Sequence, residues 1–208
     1  MAHRFTYAIG SASNREASED RAEVIERGEE LLIVVADGAG GLRGGATASD
    51  AIVTAVRTCG STDVRALSEV FRTTDAALAT RMAGETTAVA LTVTPDGITG
   101  VSSGDSEAWL VSAVGYDILT SGQTRRRLGS GKASPQPFHR AFHDGVLLVA
   151  TDGLFKHADH DAIADCRRSA TVDEIVERLV ALPKLRSGSH PDDVVVVAVS
   201  LRLSSAHG

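Results

Sequence analysis

Cysteine is scarce. The 208 residues contain two, Cys59 and Cys166, far apart and in no metal-binding or redox spacing. That excludes a disulfide framework and a thiolate metal site, and it reads as two reduced thiols in a cytoplasmic protein. Long apolar runs are missing too. No stretch approaches the roughly 20 residues of a membrane span, and the opening MAHRFTYAIG lacks the apolar core of a signal peptide. Basic charge is in deficit: 21 Lys and Arg against 27 Asp and Glu leave a net charge of -6. Such a field repels nucleic acid and anionic membrane, so neither is expected as a partner. An enzyme of this charge acting on phosphate needs a local cation. There is no repeat, low-complexity tract or linker, so residues 1–208 read as one domain, large enough to bury a substantial core.

What is present is a series of strands and helices. RFTYAIG, residues 4–10, alternates as an opening strand and is followed by a polar segment, SASNREASEDR. Residues 31–36 form the first strong strand. Ala48, Ile52 and Val56 have helical spacing, and Leu67, Val70, Phe71 and Leu78 share one face of a second helix. The period then changes to that of two hairpins, one turning at Pro95-Asp96-Gly97 and one near Gly115. GQTRRRLGSGKASPQPF, residues 122–138, reads as a basic loop. A strand (145–153), helices over 159–168 and 171–185, and a buried strand opening at Asp192-Asp193 complete the chain. Thr171 and Glu174 form a capping box. The pattern predicts sheets packed together with helices outside.

The informative feature is where the apolar strands stop. LLIVVADGAGG ends in Asp37-Gly38 and VLLVATDG in Asp152-Gly153; VSSGD ends at Asp105, and Asp192 and Asp193 stand at the mouth of the last strand. An Asp-Gly pair is often only a turn, as at Asp96-Gly97. Asp37 and Asp152 differ, because each follows a wholly apolar strand and precedes a helical segment. Carboxylates held at one rim of a core repel each other unless a cation stabilises them. Oxygen ligands without His or Cys favour Mg²⁺ or Mn²⁺ over Zn²⁺. Two such ions about 3.5–4 Å apart can hold a bridging water, lower its pKa and aim it at phosphorus. NREASED, residues 14–20, adds Glu19 and Asp20 beside Arg15, whose planar fork can grip two phosphate oxygens.

The order RxxxED, VVADGAGG…GG…AS, TTAVALTV, GDSEAWLV, LLVATDG, DDVVVVAV, spanning Arg15 to Val199, resembles the metal-dependent Ser/Thr phosphatases of the PPM, or type-2C, family, as a short bacterial-type member. The resemblance implies an α+β fold, a four-layer αββα sandwich of two antiparallel β-sheets flanked by helices, with the flap subdomain reduced. It implies Arg15 as the phosphate-binding residue. Glu19 matches a ligand of one metal, with Asp20 supporting it. Asp37 matches the aspartate bridging both metals, Gly38 the glycine whose carbonyl coordinates, and Asp152 and Asp192 the ligands of the other metal.

This sequence departs from the family pattern at four places. Ala39 stands where some members have a histidine, so the leaving group must take its proton from elsewhere. Glu107 replaces the arginine of GDSR. Asp105 matches an aspartate used for a third, weaker ion, but the position of that ion's second ligand is Lys156, whose ammonium would compete with it. Two tight ions and a weak or absent third are therefore expected. The short segment after Asp105 leaves a more open site, where Arg125, Arg126, Arg127 and Lys132 could meet an acidic or phosphorylated partner. His157 and His160 lack a further soft ligand and read as surface residues, and Trp109 reads as core.

The expectation is a monomeric Mn²⁺- or Mg²⁺-dependent hydrolase of phosphoserine and phosphothreonine in proteins, with a Ser/Thr kinase as a partner. Catalysis is expected of Arg15, Asp37 and Asp152. Two alternatives stay open: a non-catalytic regulator that uses the same fold to bind a kinase or phosphoprotein, and a phosphatase of a small phosphorylated metabolite.

Overall fold

The structure, a computed structural model, describes residues 4–14, 17–39 and 44–201. Among the described residues, ten strands form two five-stranded antiparallel sheets. One contains β1 (Phe5–Ala12), β10 (Val194–Leu201), β9 (Val146–Ala150), β6 (Glu107–Ser112) and β7 (Gly115–Ile118), in that order. The other contains β2 (Arg21–Arg27), β3 (Glu30–Ala39), β4 (Glu85–Thr94), β5 (Gly97–Ser103) and β8 (Gln136–Arg140). Helices α1 (Gly44–Thr58) and α2 (Val64–Arg81) cover the second sheet, and α5 (Val172–Ala181) covers the first with the short α3 (Asp152–Phe155) and α4 (His160–Ala164).

The unbroken apolar runs follow from burial on both faces. In β3, Leu32, Val34 and Ala36 pack against Ile52, Val56, Leu67 and Phe71 of the helices. The alternate residues Leu31, Ile33 and Val35 face the other sheet, where Leu147, Val149, Val197 and Val199 meet them. β9 and β10 divide their side chains the same way: Leu148, Val196 and Ala198 lie under α5 beside Ile175 and Leu179. Three apolar layers therefore stack through the molecule, and the central strands have no solvent face.

The structure revises four details. Arg21–Arg27, left unassigned by the sequence, is an edge strand whose side chains are mostly half-buried; Ala22 and Val24 pack toward the other sheet, but the charged Arg21, Glu23, Glu26 and Arg27 mask the pattern. The segment read as a loop over 122–138 ends in β8, where Pro137 is tolerated because the strand pairs only with β5, on a sheet edge. The helix expected over 159–168 is α4 followed by a 3-10 turn over residues 165–168. The last helix stops at Ala181 rather than 185. Its start is as expected: the Glu174 N–H donates to Thr171 Oγ1 at 3.2 Å, and Glu174 Oε2 accepts from Ala170 N–H at 2.8 Å.

The basic connection between β7 and β8 is ordered by one carboxylate. Asp75 of α2, itself buried, accepts the main-chain N–H groups of Gly129 and Gly131 at Oδ1 and of Ala133 at Oδ2, at 2.8 to 3.0 Å. Removing it strands several donors beneath the loop. Asp75→Ala should lower unfolding stability by about 2–3 kcal/mol, measured by urea denaturation; a loss under about 0.5 kcal/mol would show that water replaces the carboxylate without penalty.

Candidate metal centre

Strand register brings the carboxylates to one rim. β3 pairs Ala36 with Arg21 at the start of β2, and β9 pairs Ala150 with Glu107 at the start of β6. β10 pairs Val196 with the same Ala150. Strands β3, β5 and β9 thus end where β2, β6 and β10 begin. Asp37 lies among the last residues of β3, paired with Thr87, and just beyond the other ends stand Asp20, Asp105, Asp152, Asp192 and Asp193. One carboxylate oxygen from each of Asp37, Asp105 and Asp152 lies within 4.8 Å of the others, and among the described residues this is the one group of potential metal ligands. His157 and His160 take no part; His160 sets its ring edge against fully buried Trp109.

Backbone contacts fix the rim. Thr86 Oγ1 donates to the Asp37 carbonyl at 2.8 Å, and Thr87 and Ser106 share a buried 2.6 Å hydrogen bond across the turn that holds Asp105. Val195 N–H donates to Thr151 Oγ1 at 3.0 Å, tying the residue before Asp152 to β10. At the β3–α1 crossing, a Cβ on Gly45 would lie 2.7 Å from the Gly38 carbonyl carbon and 2.8 Å from Glu19 Cδ. Only glycine lets the two backbones meet and leaves room for the Glu19 side chain against Gly45. Ser49 Oγ donates to the Glu19 carbonyl at 2.6 Å. Gly153 is constrained likewise, since a Cβ there would collide with the Asp193 carbonyl.

Asp193 has a different task from its neighbours. Its carboxylate accepts from Ser13 Oγ at 2.7 Å, Asn14 N–H at 2.9 Å and Glu19 N–H at 3.2 Å, so it pins the β1–β2 connection to the start of β10. Burial pushes its pKa up, but these donors outweigh burial and hold it below the usual value. Asp192 Oδ1 accepts the Asp193 N–H at 2.9 Å, and its charge reaches both Asp37 and Asp152. Arg15 lies outside the described residues. Thr86, Thr151, Ser49 and Asp193 were not singled out as supports of the site by the sequence; the signal for three of them is a hydroxyl residue beside each Asp-Gly or Glu-Asp pair in space, which only the fold reveals.

The carboxylates repel one another in a dry setting. Asp20 is pushed up to about 8, first by burial and then by the charge of Asp37, with the Thr151 hydroxyl opposing. Asp37 is pushed up to about 6 by burial and then by Asp152, with Asp105 and Asp192 adding to it. Asp152 is raised by burial despite its contact with Lys156. Lys156 Nζ bridges the group, 3.1 Å from Asp105 Oδ2 and in close ion-pair contact with Asp152 Oδ2. Glu107, in place of arginine, turns away to accept the Trp109 indole N–H at 2.5 Å.

Two polar atoms bear on whether a cation fits. Asp20 Oδ2 and Asp105 Oδ1 are buried without a hydrogen-bond partner. Orphaned carboxylate oxygens beside raised pKa values, with oxygen donors and no thiolate or imidazole, suit a hard divalent ion. Without such an ion, native Asp20 and Asp37 hold protons that the unfolded chain releases near pH 4. Their contribution is full below that pH and is lost as pH rises through about 6 and then about 8. The chelator-treated protein should therefore lose a few kcal/mol of stability between pH 5 and pH 8 in urea titrations, and Asp20→Asn should flatten the slope. A stability that rises over this range would contradict the assignment.

The family described as Stage II sporulation protein E (SpoIIE) matches residues 27–202. No curated protein matches the chain significantly. Solved structures with the same fold include the catalytic domain of the serine/threonine protein phosphatase PstP in complex with two manganese ions, 23% identical, covering 95% of this chain and 98% of that one, with a TM-score of 0.81. PppA, a key regulatory component of T6SS in Pseudomonas aeruginosa, is 19% identical over 97% and 99%, TM-score 0.82. The serine/threonine phosphatase Stp1 from Staphylococcus aureus is 19% identical over 97% and 96%, TM-score 0.81.

Proposed function

The chain belongs to the SpoIIE family and has the fold of the PPM Ser/Thr phosphatases, and on that premise we propose that it is a metal-dependent phosphoprotein phosphatase acting on phosphoserine and phosphothreonine, with the whole chain forming one catalytic domain. The observation that carries this reading is the convergence of Asp37, Asp105 and Asp152 at the ends of three strands from two sheets. Glu19, Asp37, the Gly38 carbonyl, Asp152 and Asp192 would hold two Mn²⁺ or Mg²⁺ ions, with Asp20 supporting Asp37. Bound there, the ions supply Lewis acidity toward the phosphoryl oxygens and make a shared water acidic enough to attack near neutral pH.

The chain's own residues do the rest. Asp37, fixed through its carbonyl by Thr86, sets the centre of the site. Asp193 and Ser49 hold the backbone of Glu19, so both sides of the rim keep their spacing without help from substrate. Such preorganisation is where phosphoryl transfer gains most of its rate. Arg15 has the planar fork to grip the non-reacting oxygens of the phosphoryl group. With Ala39 after Asp37-Gly38, no imidazole at that position donates to the leaving alkoxide, and solvent supplies that proton. The substrate is a phosphorylated protein, and a Ser/Thr kinase is its functional counterpart. The cation that Lys156 presents to Asp152 favours one rival, a regulator that binds phosphoprotein without hydrolysis.

Phosphate release from a phosphothreonine peptide decides between these readings. Hydrolysis should require Mn²⁺ or Mg²⁺, stop with chelator, and fall by about 10²-fold or more in Asp37→Asn and Asp152→Asn, since each removes charge stabilisation of the transition state. Near-normal turnover in Asp152→Asn would refute the site, and no hydrolysis by folded wild type with either ion would favour the regulator.

A further inference from the structure

The resemblance matches Lys156 to the position of a third ion's second ligand, and the structure shows what the lysine does there. It follows Asp152 by one helical turn, and its main-chain N–H donates to the Asp152 carbonyl at 2.8 Å, so the two residues are fixed to each other. Its Nζ lies 3.1 Å from Asp105 Oδ2 and in ion-pair contact with Asp152 Oδ2. The aspartates are largely covered, their side chains 22% and 9% exposed, whereas the lysine side chain is 50% exposed. The ammonium therefore enters from solvent and plugs the gap between two carboxylates.

We propose that Lys156 is a tethered cation standing in for a divalent ion between Asp105 and Asp152, so that this chain loads one ion fewer than its rim of carboxylates could hold. The inference rests on the metal-dependent reading above. An ammonium and a metal ion cannot share the gap: Mg²⁺ needs carboxylate oxygens at about 2.0–2.1 Å, and Nζ already occupies that space. One positive charge and three N–H donors neutralise the pair only in part. Asp105 Oδ1 stays buried without a partner even with the lysine in place, and so does Oδ2 of Asp20, 6% exposed and facing Asp37. A neutral side chain at 156 would leave Asp37, Asp105 and Asp152 with oxygens within 4.8 Å of one another and no tethered charge between them. That constellation takes up a divalent cation.

Manganese stoichiometry of the full chain tests this, by equilibrium dialysis with elemental analysis. Lys156→Gln should bind one Mn²⁺ more per chain than wild type. Lys156→Arg, which keeps the charge, should match wild type. Lys156→Gln combined with Asp105→Asn should lose the added ion. Lys156→Met gives the same expected gain by a second route, and circular dichroism checks that each variant is folded. Equal counts in wild type and both neutral variants would overturn the inference, as would an added ion that survives Asp105→Asn. The two readings fail separately. Wild-type protein that shows the difference in ion count but never hydrolyses phosphopeptide refutes the phosphatase, and hydrolysis with equal counts refutes the tethered cation.

Discussion

Repulsion among carboxylates at the end of a dry sandwich is the constraint on which the rest of this molecule depends. Asp37 faces Asp20, Asp105, Asp152 and Asp192, and desolvation makes each charge costlier than it would be in water. A fold keeps such a group only if its backbone is held firmly and its charge is offset. Both conditions are visible. Thr86, Thr151, Ser49 and Asp193 fix the strand ends by hydrogen bonds to and from the main chain around the rim, and Lys156 offsets part of the charge from one side.

The sandwich explains why the rim can be so acidic. Three stacked apolar layers hold β3, β9 and β10 on both faces, so the ends of these strands are positioned by packing from two sides. Glycine at 38, 45 and 153 then lets main chain approach main chain at the crossings. Those contacts set the spacing between Glu19, Asp37 and Asp152. Rigid spacing is what a site for phosphoryl transfer requires, since charge placed in advance need not reorganise during reaction.

Much of this was legible from sequence, and unevenly so. Strands buried on both faces announce themselves as apolar runs, and the aspartates that stop them stand out for that reason. β2 and β8 stayed hidden because edge strands need neither a dry face nor freedom from proline. Asp105 and Lys156 are 51 residues apart; the resemblance pairs the two positions, and the turn after β5 and the helical turn after β9 bring them into contact. Asp193 shows another limit: in the sequence it stands only as a carboxylate at the mouth of the last strand, and the fold reveals that its oxygens accept from Ser13, Asn14 and Glu19, which makes it a clamp. The grouping of Asp75 with residues 129 to 133 likewise had no local signature.

The most direct test of the account is where manganese sits. Crystals grown with Mn²⁺ and measured at the manganese absorption edge should show anomalous peaks within ligand distance of the Asp37 carboxylate, on the sides facing Asp152 and Glu19. Saturating Mn²⁺ with no peak at Asp37 would contradict the account, for the carboxylate rim would then need another explanation than a cation.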